Sequence, residues 1–195
     1  MSSYFTYLHN GLYKVRKEYM HTIMSAMWIV LNDLVDLFER VRGREVTGRM
    51  NEELKRQTRQ ILARFAMSRI EIQQLKVKLE EAETKYRDVL QCAAHLNINQ
   101  EPFFASLATK SVKDKFSVIH FASDMSQIAN AIEQSIYEII EDKNLQGRQI
   151  AGLVWMKAQN YKEDVRLTFN EYHNQIMLTH GEPTRQHEPR TVYRL

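Results

Sequence analysis

Apolar residues recur at alternating steps of four and three through the stretch from Met50 to Leu96, which contains neither Gly nor Pro. From Ile61 onward, with Ser68 filling one gap, this spacing is the heptad pattern. It is typical of an α-helix that packs on other helices along one face. We therefore predict one long helix over residues 49–97.

Three further stretches carry apolar residues at helical spacing. Residues 3–42 form the first predicted helix, and Met20, Met24, Met27 and Trp28 give it a wide apolar face. A wide face is expected to contact more than one neighbour. Residues 112–142 and 148–180 form the third and fourth predicted helices. A short helical linker is predicted at about 101–109, because Pro102 is compatible with a first helical position.

Short connections join the helices in pairs. Gly43 suits a left-handed helix C-cap and Thr47 suits an N-cap, while Asn144 and Gly147 mark a second tight turn. Such short connections make the joined helices antiparallel neighbours. We predict an all-α fold across residues 1–180, with four long helices in two antiparallel hairpins of an elongated, coiled-coil-like bundle. Residues 181–195, with two prolines and little apolar content, are expected to be extended or disordered.

Composition favours a helical protein inside the cell. The 195 residues include only 3 Pro and 6 Gly, and 44% are hydrophobic, which is enough for a core. A single cysteine, Cys92, excludes an internal disulfide and fits a reducing compartment. The most apolar run, Ile23 to Leu31, is too short to span a membrane. We therefore expect a cytoplasmic or nuclear protein without a transmembrane segment.

The N-terminal residues lack the features of a secretory signal peptide. The first 17 residues contain three basic residues and no acidic one, a weak likeness to a mitochondrial transit sequence. Arg and Ser are too few there to favour that interpretation, and mitochondrial import stays open.

No stretch holds a complete set of catalytic or metal-binding residues. A di-metal site in a helical bundle uses two Glu-x-x-His pairs, and this sequence has one, Glu18 with His21. Cys92 and His95 share a helical face, but no third group that would orient the histidine is apparent. We predict no enzymatic activity, no metal site and no cofactor.

A basic stretch from Arg40 to Lys78 is the strongest candidate for a functional surface, with eleven Lys and Arg against four Asp and Glu. Clustered arginines bind the phosphates of lipids or nucleic acids. The candidate anion-binding residues are Arg40, Arg42, Arg44, Arg49, Arg56 and Arg59. The same charges can instead pair with the third helix, because residues 116–142 contain five Asp and Glu and no Lys or Arg. The sequence leaves both possibilities open.

The second predicted helix is longer than the third and fourth, at about 49 residues against about 32. Part of its seam is therefore expected to contact the first helix or a partner chain. The candidate partner-interface residues are Leu75, Leu79 and Tyr86. These features predict a non-enzymatic helical interaction or scaffold protein, a coiled-coil-like subunit or adaptor of an intracellular assembly that forms homo- or hetero-oligomers through helix packing. The alternative is a helical module that binds an anionic membrane surface or nucleic acid through Arg40–Lys78.

Overall fold

Four long α-helices make up the part of the chain that the structure describes. This computed structural model describes the backbone of residues 2–95 and 117–179, and the side chains of residues 10–89, 91 and 117–176. The helices are α1 (Ser2–Glu39), α2 (Gly48–His95), α3 (Val118–Glu141) and α4 (Gly147–Thr179). No strand occurs in the described ranges. The prediction of an all-α fold with two antiparallel hairpins is confirmed.

Three predicted features lie outside the described residues. They are the helical linker at 101–109, the start of the third helix at 112, and the tail at 181–195. In the described part, α3 begins at Val118, and the backbone N–H of His120 donates to the Ser117 hydroxyl at 3.2 Å. Ser117 therefore acts as the N-cap of the described helix.

Contacts between the helices divide the chain into two compact units, and each unit contains segments of all four helices. Residues 23–71 and 124–167 form the hairpin unit, which holds both short interhelical turns. The described residues among 1–22, 72–123 and 168–194 form the terminal unit.

The first turn of the hairpin unit follows the predicted capping pattern. Gly43 has a φ of +74°, the left-handed conformation that lacks a steric penalty only for glycine. The Thr47 carbonyl accepts the first hydrogen bond of α2 from the Asn51 N–H at 2.9 Å. The start of α2 directly after Thr47 agrees with the prediction, whereas α1 ends at Glu39 instead of 42 and Gly43 lies in the turn between the two helices.

The second turn of the hairpin unit uses side-chain amides and carboxylates to satisfy the backbone. The Asn144 N–H donates to the Asp142 carboxylate at 2.9 Å, which closes a tight turn after α3. The Gln146 N–H then donates to the Gln149 side chain at 2.9 Å, and the Gln146 carbonyl accepts from Ile150 at 2.9 Å. Gln146 and Gln149 thus form half of a capping box at the start of α4.

The two turns touch each other at Gly147. A Cβ atom at this position would lie 2.8 Å from the Val46 carbonyl oxygen and 2.9 Å from a Val46 methyl carbon. The close approach of the turns therefore requires glycine at the first residue of α4.

Each helix of the hairpin unit has two helical neighbours, in the order α1, α2, α3, α4 and back to α1. One pair of side chains illustrates each contact: Arg64 with Asp33, Arg69 with Glu133, Tyr161 with Ser135, and Lys162 over the Trp28 ring. The same cyclic order occurs within the terminal unit, through Arg16 with Glu83, Lys76 with Ser123, Phe121 with Phe169, and His21 with Phe169. The helix order, which the sequence did not reveal, follows from these pairs.

The predicted wide apolar face of α1 is confirmed. Among the side chains of this helix that the structure describes, twelve apolar ones are buried: Leu12, Met20, Ile23, Met24, Met27, Trp28, Val30, Leu31, Leu34, Val35, Leu37 and Phe38. From Met20 onward they cover more than one seam, as expected for a helix that contacts both α2 and α4.

The buried face of α2 is centred on a column of residues spaced by seven: Phe65, Ile72, Leu79 and Tyr86. These residues belong to the predicted seam. Its other members at 61, 75, 82 and 89 are only half-buried, whereas Leu62, which the heptad pattern missed, is fully buried. The buried face is therefore wider than the narrow predicted seam.

Gly147 and Gly152 allow a test of the contact between the two turns. Gly147→Ala is expected to destabilise the protein by about 1–3 kcal/mol, because the new methyl group meets a backbone carbonyl. Gly152→Ala is the matched control, since a Cβ there meets nothing within 4 Å, and it should stabilise α4 by about 0.5–1 kcal/mol. Urea unfolding of both variants measures the difference. Equal stabilisation by the two substitutions would show that the turns do not approach this closely.

Candidate interaction surfaces

Two of the basic residues on α2 pair with the acidic helix α3. In the hairpin unit, Arg59 Nη2 lies 2.6 Å from Glu141 Oε1, and Arg69 Nη2 lies 2.6 Å from Glu133 Oε2. The hydrogen bond from Arg59 lowers the pKa of Glu141, whereas burial raises the pKa of Glu133 against the opposing effect of Arg69. Of the two possibilities for the basic stretch, Arg59 and Arg69 therefore follow the one in which the arginines pair with the acidic helix of the same molecule.

Arg56 is occupied by a neighbour on its own helix. Its Nε donates to Glu53 Oε2 at 3.0 Å, and its hydrogen bonds lower the pKa of Glu53 to about 2. Both side chains are about half exposed, so water screens the pair and it stabilises the fold little. A phosphate group would have to compete with Glu53 for this guanidinium.

Arg42 lies over an aromatic ring in the hairpin unit. Its guanidinium carbon is 3.8 Å from the centroid of the Trp155 ring, and Nη1 is 4.0 Å from Glu39. The guanidinium therefore has a fixed position, and about half of its side chain stays exposed.

Arg40, Arg44 and Arg49 keep exposed side chains around the turn between α1 and α2. None of the three forms an ion pair within the described part of the chain. The hairpin unit as a whole is neutral, with fourteen Lys and Arg and fourteen Asp and Glu. The excess of positive charge is therefore confined to the surroundings of this turn. Of the six predicted anion-binding residues, these three and Arg42 are therefore the ones available to a ligand.

The candidate partner-interface residues Leu79 and Tyr86 are buried within the chain itself. Their exposed fractions are 1% and 5%, and Leu75 is half-buried. Other residues of the same molecule cover most of the surface of Leu79 and Tyr86, so a partner helix can pack on them only if the bundle opens. An interface at these residues stays a prediction.

The face of α2 opposite the buried column exposes apolar residues that the sequence prediction missed. We call this surface, formed by Ala63, Met67 and Ile70, the outer face of α2. Met67 is 60% exposed and Ile70 is 54% exposed, and Ala63 is exposed one turn earlier. These three residues follow steps of four and three, and they lie about half a helical turn away from the buried column. The spacing was present in the sequence, but the more continuous seam on the other side obscured it.

An exposed apolar residue of α1 lies at the same level of the hairpin unit. Asp33 pairs with Arg64, which places these two residues at the same level of the antiparallel helices α1 and α2. Ile29, which is 53% exposed, lies one turn before Asp33, and Met67 lies one turn after Arg64. Ile29 therefore extends the outer face of α2 toward α1.

A buried ion pair joins α1 and α2 in the terminal unit. Arg16 Nε lies 2.8 Å from Glu83 Oε1, with side-chain exposures of 5% and 0%. Burial raises the pKa of Glu83, and the adjacent Arg16 guanidinium opposes this rise. Within the described chain, the second carboxylate oxygen has no hydrogen-bond partner. Sequence reasoning missed this pair, since Glu83 lies among other charged residues and shows no sign of burial.

Among the residues whose side chains the structure describes, the histidines do not assemble a metal site. No group of three or more His, Cys, Asp or Glu side chains suited to a metal ion occurs among the described residues. His21 lies 5.7 Å from the Phe169 ring and 6.4 Å from the His173 ring, centroid to centroid. Burial, with a smaller effect of Lys17, lowers the pKa of His21. The side chains of Cys92 and His95 lie outside the described residues.

Comparisons with known proteins give no relative from which a function could be inferred. No protein-family model, curated protein or solved structure matches this chain. Within the described ranges, no helix combines the length and apolar content needed to cross a membrane.

The contribution of the Arg16–Glu83 ion pair to the free energy of unfolding can be measured with single and double variants at two pH values. Arg16→Met should destabilise the protein by about 3–5 kcal/mol near pH 7, because it leaves a buried carboxylate without its cation. The free energy lost should be smaller at pH 4.5. Glu83 has a raised folded-state pKa, so its protonated form is favoured in the folded protein and stability falls as pH rises through that pKa.

The control is the double variant Arg16→Met with Glu83→Leu, measured by urea unfolding. Replacing both charges by apolar side chains of similar size should restore stability to about the wild-type value or above. A loss for Arg16→Met that is the same at both pH values would contradict the buried, charged carboxylate.

Proposed function

We propose that this chain is a non-enzymatic subunit or adaptor of an intracellular helical assembly, and that it self-associates through the outer face of α2. The observation that carries the proposal is the exposure of Met67 and Ile70 at heptad spacing with Ala63. Side chains of this kind contribute to stability only when they leave water. On a helix whose other face is already buried, a second helix is the natural partner.

The polar residues beside this face favour a second copy as the partner. Arg64 is paired with Asp33, Arg59 is paired with Glu141, and the nearby Gln60 is uncharged. Glu71, one turn after Met67, is exposed and makes no ion pair in the described structure, so two copies have to approach with these two carboxylates apart. A contact of a few turns is small for a protein interface, so we expect weak association, with a dissociation constant of about 10–100 µM. Location in the cytoplasm or nucleus is supported by the lone Cys92.

Self-association is tested by introducing charge on this face. Met67→Glu combined with Ile70→Glu should give a monomer at concentrations where the wild type dimerises, because the interface would bury like charges. Both side chains are exposed, so the melting temperature should change little. Light scattering coupled to size-exclusion chromatography over a concentration series measures the mass.

The matched control places the same changes on α4. Met156 and Leu167 are 48% and 51% exposed, and Met156→Glu with Leu167→Glu adds the same charge to an apolar surface elsewhere in the hairpin unit. This variant should dimerise like the wild type. A wild type that stays monomeric throughout the series, or a control that loses dimerisation equally, would show that the outer face of α2 is not the interface.

A second candidate function is supported by the arginines at the turn between α1 and α2. Arg40, Arg44 and Arg49 are exposed and make no ion pair in the described structure, and Arg42 is held beside them on Trp155. Guanidinium groups grouped in this way suit the phosphates of an anionic membrane or of nucleic acid. The balanced charge of the hairpin unit restricts such binding to this turn.

Reversal of three of these charges tests the anionic partner. Arg40→Glu, Arg44→Glu and Arg49→Glu together should abolish binding to phosphatidylserine liposomes or to duplex DNA at low salt. Liposome sedimentation and fluorescence anisotropy measure the two ligands separately. The control reverses Lys157, Lys162 and Arg166, which gives the same net charge on α4, away from the turn. If the wild type binds neither ligand in a salt-dependent way, the hypothesis is wrong.

A further inference from the structure

The terminal unit contains a cavity of about 580 Å³ between the early part of α1 and the later part of α2. This volume lies within the range of about 300–1,000 Å³ in which proteins bind small molecules. The cavity extends along residues 10–15 of α1 and 82–89 of α2.

The walls of the cavity are mainly apolar. They include Leu12 and Val15 from α1, and Ala82, Tyr86 and Val89 from α2. Apolar walls of this kind favour a ligand with a hydrocarbon part, because its burial removes apolar surface from water. The polar groups of the lining belong to Asn10, Lys14, Lys85 and the Tyr86 hydroxyl.

Gly11 leaves one side of the cavity without a side chain. A Cβ atom built on this glycine meets nothing within 4 Å, so the open space reaches the backbone of α1. A larger side chain at position 11 would therefore occupy the cavity.

The charged residues that line the cavity have one sign. Among the described residues they are Lys14 and Lys85, one from each helix, and both are exposed. Neither lysine forms an ion pair in the described structure. The nearest buried acid on α2, Glu83, is paired with Arg16 and is not part of the lining. The cavity therefore combines apolar walls with two available cations.

From this combination we propose that the cavity binds a single-chain amphiphile with an anionic headgroup, such as a long-chain fatty acid. The hydrocarbon chain lies against the apolar side chains of α1 and α2, where its burial supplies the affinity. The carboxylate lies at Lys14 and Lys85, which supply the preference for a negative headgroup. This binding is independent of the outer face of α2 and of the arginines at the turn.

The test is isothermal titration calorimetry of the full chain with dodecanoate and with dodecanol, both below the concentrations at which they aggregate. The wild type should bind one dodecanoate per chain and should bind dodecanol at least tenfold more weakly. Gly11→Leu should abolish dodecanoate binding by filling the cavity, and Gly11→Ala should retain most of it. Ala82→Phe fills the cavity from α2, and circular dichroism checks that each variant is folded.

Charge reversal tests the headgroup. Lys14→Glu with Lys85→Glu should weaken dodecanoate binding about tenfold or more, the effect of two lost surface charge pairs and new repulsion. Lys157→Glu with Lys162→Glu, on α4 of the hairpin unit, controls for net charge and should bind like the wild type.

No dodecanoate binding by the wild type, or binding that survives both cavity-filling substitutions, overturns the proposal. Equal binding of dodecanoate and dodecanol, or binding unchanged by reversal of the two lysines, overturns the anionic headgroup.

Discussion

Burial of one column on α2 is the constraint on which the other contacts of this helix depend. Phe65, Ile72, Leu79 and Tyr86 repeat every seven residues and are all buried. Once this column faces inward, the residues beside it must face neighbouring helices. Arg69 and Lys76 then find polar partners on α3, and Glu83 finds Arg16 on α1. The apolar column thus determines which polar residues become paired, and the ion pairs adjust to an orientation that packing has set.

The predictable part of this fold is the part encoded by neighbours in sequence. Helix periodicity, the left-handed Gly43 and the helix start after Thr47 depend on residues a few positions apart. The structure agrees with the sequence at each of these points. The ion pair between Arg59 and Glu141 spans 82 residues, and that between Arg16 and Glu83 spans 67. Such pairs depend on the helix order and register, which periodicity does not contain. The sequence therefore indicated a basic and an acidic stretch but not which of their residues pair.

The basic stretch shows why charge counts alone do not define a binding surface. Its arginines have the same charge but different surroundings. Arg59 and Arg69 pair with α3, Arg56 pairs along α2, and Arg42 stacks on Trp155. The excess of positive charge predicted for the whole stretch is therefore available only at a few arginine side chains around one turn. Loops and turns keep charges available because they have fewer neighbouring helices to supply counterions.

The extra length of α2 does not by itself expose its buried face. At 48 residues it exceeds α3, which has 24 in the described structure, and α4, which has 33. This excess does not leave the buried column open, since that column is covered as far as Tyr86. The same stretch, residues 82–89, instead lines the cavity beside α1. The accessible apolar surface of α2 thus includes the lining of this cavity and exposed side chains elsewhere on the helix, which are Met50, Met67, Ile70 and Val77 among the described residues. The proposed self-association uses the exposed side chains of Met67 and Ile70, whereas the proposed ligand lies in the cavity beside Tyr86. Surface shape, which a heptad pattern does not encode, distinguishes these two kinds of partner.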